Sequence, residues 1–80
     1  MIDQNKIIGV VESALALGKG TIDINSSSDN IEKWDSLGQL SILSKMDELF
    51  NGKIAEIPDI ANANSIKSIV SLLKENKLLK

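Results

Sequence analysis

The sequence predicts an all-α fold, a small four-helix bundle of three main helices and one short helix, in a single domain over residues 1–80. Three observations carry this expectation. Apolar residues recur at helical spacing in three separate segments. The 42% hydrophobic content comes almost wholly from Ile, Leu, Val and Ala, with one Trp, one Phe and no Tyr. Gly, Asn and Pro fall between the periodic segments, where helices have to stop. Eighty residues lie near the lower end of the size at which one core sustains a fold without disulfides or metal.

In residues 4–17, Ile7, Ile8, Val11, Ala14 and Leu15 share one helical face, with Asp3 as the expected cap and Gly18 and Gly20 as the stop. Residues 18–35 are polar and rich in Ser, Asn and Asp, and Ile22, Ile24 and Ile31 are expected to pin this long loop to the core. The second helix is placed at about Ser36 to Phe50, ending at Asn51-Gly52, a good C-terminal pair. The stretch "KIAEIPDIANAN" reads as a connector with at most one short turn around Ile60 to Ala63. Ser65 then caps a last helix with Ile66, Ile69, Val70 and Leu73 on one face, and lysines near its C-terminus suit the macrodipole.

What is missing narrows the chemistry. The chain has no Cys, which excludes disulfides and thiolate zinc sites and fits a reducing cytoplasm. It has no His, which removes Ser-His and Cys-His catalysis, His-ligated metals and the commonest general base. A formal charge of −2, with scattered lysines, offers no footprint for nucleic acid. Apolar runs are far too short for a membrane span, and no signal segment opens the chain, so a soluble cytoplasmic protein that is not itself an enzyme is expected.

Two motif likenesses fail on inspection. "DINSSSDNIEKW", from Asp23, alternates oxygen ligands as a calcium loop does, but has Ser28 where the sharp turn needs Gly and Trp34 where a bidentate Glu is required. Ser36 cannot be the nucleophile of a G-x-S-x-G elbow, because residue 34 is Trp and no base is available. Ser36-Leu37-Gly38-Gln39 does fit the S-x-x-Q capping box, which makes Ser36 the expected cap of the second helix. Trp34 reads as an apolar residue packing near Leu40, in the manner of a hydrophobic staple.

On the wheel of the second helix, Ile42, Leu43, Met46, Leu49 and Phe50 form a broad core face. Leu37 falls nearly opposite it. Leu40 falls toward its edge, beside Ser41, Ser44, Asp47 and Glu48. Two leucines beside two carboxylates, near a helix start that presents a hydroxyl, form a surface suited to docking.

The segment "DSLGQLSILSKMDELF", residues 35–50, resembles the signature of acyl carrier proteins and the related peptidyl carrier domains. The likeness covers nearly the whole chain: its length, the Ser/Asp-rich loop before the motif, "EIPD" after it, a short third helix and an apolar fourth one. It implies a four-helix fold of acyl-carrier type. It also implies that Ser36 carries 4′-phosphopantetheine, attached by a phosphopantetheinyl transferase from coenzyme A, with Asp35 helping that enzyme to hold magnesium. Leu37, Leu40, Asp47 and Glu48 fall where the family presents its partner-recognition contacts. The partners implied are that transferase and the enzymes that load and transfer acyl or aminoacyl groups, met by a monomer. If the acyl chain is sequestered, its expected place is between the helices, against Leu43, Met46, Ile60, Ile66 and Ile69.

The sequence departs from the acidic fatty-acid carriers at Gly38 and Ser41, where they have carboxylates, at Lys45 within the recognition face, and at Trp34 before the motif. Weaker electrostatic steering of basic partners follows. "WDSLGQL" is more similar to carriers of specialised pathways, including some that carry aminoacyl groups, than to those of housekeeping fatty-acid synthesis. A reading of another class stays open: a phosphopantetheine-free helical module that docks a partner through Leu37 and Leu40.

Overall fold

A computed structural model describes residues 2–79. They form an all-α fold of three α-helices, α1 (Gln4–Ala14), α2 (Ser36–Leu49) and α3 (Ile66–Glu75), with two 3-10 turns, Lys53–Glu56 and Ile60–Asn62, between α2 and α3. No strand is present among the described residues, and no helix among them is long and apolar enough to cross a membrane.

Each helix starts on a side-chain cap. Asp3 accepts from the Lys6 amide at 3.0 Å and opens α1. Ser65 opens α3 in a reciprocal box, its Oγ accepting from Ser68 N at 3.1 Å while Ser65 N donates to Ser68 Oγ at 3.3 Å. The predicted box at Ser36 is corrected: Asp35 is the N-cap of α2, with extended backbone and Oδ1 accepting from Gly38 N at 2.8 Å. Ser36 is the first helical residue. A carboxylate there satisfies a free amide and places its negative charge at the positive end of the helix dipole, which a hydroxyl cannot do.

The helix ends share one device. Ala16, Asn51 and Lys77 all take a left-handed backbone, at φ of 56°, 56° and 60°. In each case the amide of the next residue bonds five residues back, Leu17 to Glu12, Gly52 to Asp47 and Leu78 to Leu73. These are Schellman closures with a non-glycine residue at the left-handed position. Asn51-Gly52 therefore ends α2 as expected, whereas α1 stops at Ala14, ahead of Gly18 and Gly20. Leu15 is buried and Leu17 packs against the core. Two residues apart, they point to opposite sides of a continuing helix, so the chain must turn to bring both inward.

The core joins Ile7, Val11 and Leu15 of the first segment to Ile42, Met46 and Phe50 of the second and Ile66, Ile69, Val70 and Leu73 of α3. Leu43 and Leu49, assigned to the core face of α2, are only half-buried. The long loop is fastened at both ends. Glu12, 6% exposed, accepts from Gly20 N at 2.8 Å and Ile22 N at 3.2 Å through Oε2. Further on, Ser28 N donates to Asn64 O at 2.9 Å and Ile66 N to Ser26 O at 3.0 Å, stitching the loop to the start of α3. Ile22 is buried, and Ile24 and Ile31 pack on the core beneath the loop.

The connector holds more structure than expected, since a 3-10 turn at Lys53–Glu56 precedes the anticipated one at Ile60–Asn62. Ile54, Ile57, Ile60 and Ala63 are all buried. Their spacing of three matches the period of a 3-10 helix, which brings every third side chain to one side.

Candidate functional site

Ser36 is exposed at the first position of α2, flanked by the exposed Asp35 and Leu37. Because Asp35 supplies the cap, the Ser36 hydroxyl has no capping duty. One Asp35 oxygen is committed to Gly38 N, and the helix start directs its positive dipole end at any anion placed on Ser36. The amide of Gln39 donates to Asp35 O at 2.8 Å, so the first turn is closed directly behind the serine.

Gly38 allows this turn to sit where it does. Its position is buried, and a Cβ added there would collide with the backbone carbonyl of Lys33 and with a methyl of Leu15. An acidic side chain has no room at this position. The close packing of α2 on the preceding loop requires the glycine.

Trp34, 2% exposed, lies under the helix start. Its indole N–H donates to Gln39 Oε1 at 2.6 Å, and Gln39 Nε2 donates to Ala63 O at 2.9 Å and to Ala61 O at 3.2 Å. The amide orientation is fixed by chemistry, since an indole N–H only donates and carbonyls only accept. The predicted packing of Trp34 is observed, but its partner differs: Gln39 takes the position a staple would use, and Leu40 stays 62% exposed. Gln39 is also unavailable for the predicted reach back to the N-cap, because all its polar atoms are engaged elsewhere.

Two depressions flank this clasp. One, beside Ser36, is the more polar of the two, with Ser28, Trp34, Asp35, Ser36, Gln39, Asn62 and Asn64 in its walls. The other lies one turn along α2 and is largely apolar, with Leu43, Ile54, Ile57, Pro58 and Ile60 in its walls. Ala61 lines both. Of the residues named for a sequestered chain, Leu43 and Ile60 reach this cleft, whereas Met46, Ile66 and Ile69 are fully buried in the packed core.

The four residues expected to meet partners are divided between two surfaces. Leu37 (76% exposed) and Leu40 are the large apolar side chains that face outward. Leu40 and Glu48 line a shallow furrow with Ser41, Ser44 and Lys45. Asp47 instead borders the apolar cleft, half-buried, and its Oδ1 is buried with no hydrogen-bond partner among the described residues. No cluster of three or more residues suited to bind a metal occurs among the described residues.

The sequence held no sign of the Gln39 clasp or of the Glu12 anchor, because each joins groups distant along the chain. The 3-10 connector was visible in the spacing of Ile54, Ile57, Ile60 and Ala63. Compared with known proteins, the chain matches no family model, no curated protein and no solved structure.

Proposed function

We propose that the chain is a carrier protein, not itself an enzyme, that holds acyl or aminoacyl groups on 4′-phosphopantetheine at Ser36 and presents them to cytoplasmic biosynthetic enzymes of a specialised pathway. The observation that carries this reading is the placement of Ser36: an exposed hydroxyl at the first residue of α2, freed from capping by Asp35 and flanked by outward-facing Leu37 and Leu40. The resemblance of residues 35–50 to the carrier signature supplies the chemistry. In this reading the turn at Ile60–Asn62 stands where the short helix of the four-helix carrier fold lies.

Attachment forms a bond from Ser36 Oγ to the phosphorus that bears the pantetheine of coenzyme A. The bond to adenosine 3′,5′-bisphosphate breaks, and the serine proton passes to a base of the transferase. One Asp35 oxygen accepts from Gly38 N; in this reading the other would meet the transferase's magnesium. The bound group supplies the thiol that this chain lacks. The residues fit it: the phosphodiester charge falls at a helix N-terminus, a site worth about 0.3–1 kcal/mol to an exposed anion. The rooted serine sits on a helix rather than a loop, which limits the wander of whatever it carries. Leu37 and Leu40, with Glu48 nearby, form the face for the transferase and for loading and transferring enzymes, and Asp47 takes part from the neighbouring cleft.

The test is the intact mass before and after incubation with coenzyme A, magnesium and a broad-specificity phosphopantetheinyl transferase, beside Ser36→Ala. One added arm in the wild type alone is the expected result; no addition to a folded, unmodified chain refutes the reading. The same exposure of Leu37 and Leu40 supports a second reading, a phosphopantetheine-free docking module. That reading predicts no added mass and retained partner binding in Ser36→Ala.

A further inference from the structure

We propose that Gln39 is a specificity-determining bar that confines the cargo borne at Ser36 to short, polar acyl or aminoacyl groups held at the surface. This rests on the carrier reading of Ser36 and goes beyond it by naming the class of cargo.

The two depressions lie on either side of one hydrogen-bonded strut. Gln39 lines the polar groove beside Ser36, Leu43 lines the apolar cleft, and the two residues are one helical turn apart on the same side of α2. Across from them, Ala61 borders both depressions and receives a hydrogen bond from Gln39 Nε2 at 3.2 Å, with a second to Ala63 O at 2.9 Å. The strut therefore crosses the boundary between groove and cleft. Trp34 Nε1 locks its near end at 2.6 Å, so the amide has no free polar atom and no reason to swing.

The direct path along α2 from Ser36 to the apolar cleft crosses this strut, so an alkyl chain that takes it displaces Gln39. Displacement breaks the part-buried hydrogen bonds to Ala63 O and from the Trp34 indole N–H together, and a hydrocarbon offers neither group a replacement partner. The cleft itself is a poor container. Asp47 borders it with Oδ1 buried and without a hydrogen-bond partner among the described residues, so an alkyl chain laid over that wall removes the carboxylate further from water. Deeper entry is closed as well, because Ile42, Met46, Ile66 and Ile69 are fully buried against one another. The groove on the Ser36 side is more polar, although Trp34 and Ala61 contribute to its walls. Hydroxyl and amide side chains of Ser28, Gln39, Asn62 and Asn64 line it, and these suit groups that carry their own donors and acceptors.

The test loads wild type, Gln39→Ala and Gln39→Leu from acetyl-, alanyl- and decanoyl-coenzyme A with the transferase, and confirms each product by intact mass. Methyl-labelled NMR then follows Leu43, Ile54, Ile57 and Ile60. The wild type is expected to give the same resonances for these methyls in all three forms. Both variants are expected to shift them in the decanoyl form alone, Gln39→Leu keeping the side-chain bulk should Gln39→Ala fail to fold. A shift of these methyls on decanoylation of the wild type overturns the proposal. So does a folded variant whose decanoyl form matches the wild type. Absence of any added mass is a separate result, seen before the NMR, and removes the carrier reading together with this inference.

Discussion

The indole nitrogen of Trp34 and the side-chain oxygen of Gln39 stand 2.6 Å apart, joining the residue before the α2 cap to the residue that ties α2 to the connector. Trp34→Phe keeps an aromatic ring in the core but leaves Gln39 Oε1 without its donor. A loss of about 1–3 kcal/mol is expected in urea unfolding, the usual consequence of stranding one partner of a sequestered hydrogen bond.

The two candidate caps of α2 separate cleanly. Asp35→Ala is expected to lower stability by about 0.5–2 kcal/mol, since Gly38 N loses its acceptor. Ser36→Ala, at an exposed position with no capping bond, is expected to stay within about 0.5 kcal/mol of the wild type. Equal losses in the two variants on a urea titration would restore Ser36 as a cap.

Gly38→Ala places a Cβ against the Lys33 carbonyl, which is backbone and cannot swing away. The variant is expected to lose about 1–3 kcal/mol, as overpacked sites do. Thermal unfolding gives the comparison, and a variant as stable as the wild type would show that the start of α2 has slack.

Ala16 holds a left-handed backbone at φ 56°. Ala16→Gly relieves a strain of about 1–2 kcal/mol and gives back about 0.5–1 kcal/mol in chain entropy. The net expectation is a small gain, about 0.5 kcal/mol, measured as a higher urea midpoint with an unchanged slope. A lower midpoint would contradict the left-handed closure of α1.

Glu12→Ala removes the acceptor shared by the Gly20 and Ile22 amides. Hydrogen bonds to a charged group support an expected loss of about 1.5–3 kcal/mol. Hydrogen exchange should quicken first at Gly20 and Ile22, with α3 amides least affected; uniform quickening would mean that the loop has no local stability of its own.

Much of this architecture was legible along the chain because it depends on neighbours. Helical periodicity located α1, α2 and α3, and Asp3, Ser65 and Asn51-Gly52 act at their ends as their chemistry suggests. Asp35 and Ser36 are adjacent residues of equal promise as caps, and only the register of α2 decides between them. Ala16 ends α1 because Leu15 and Leu17 are both drawn inward, a tertiary demand that overrides the nearby glycines. Gln39 meets carbonyls 22 and 24 residues away, and Glu12 meets amides eight and ten residues away, contacts with no local signature. At the candidate site, the helical wheel turns Leu37 away from the core face and Leu40 toward its edge, whereas the exposure of Ser36 depends on its place at the start of α2. The turning of Asp47 toward the connector depends on how residues 54–63 pack.

The anchoring of the connector at every third residue sets aside a rewritable strip. Between the buried Ile54, Ile57, Ile60 and Ala63 lie Ala55, Glu56, Pro58, Asp59, Ala61 and Asn62, all exposed. Gln39 holds this segment through main-chain carbonyls, which every amino acid possesses. The letters at those outward positions can change while the fold beneath keeps its fastening. The border of the Ser36 groove can thus acquire a new address label, by drift or by design, with little effect on the stability of the bundle.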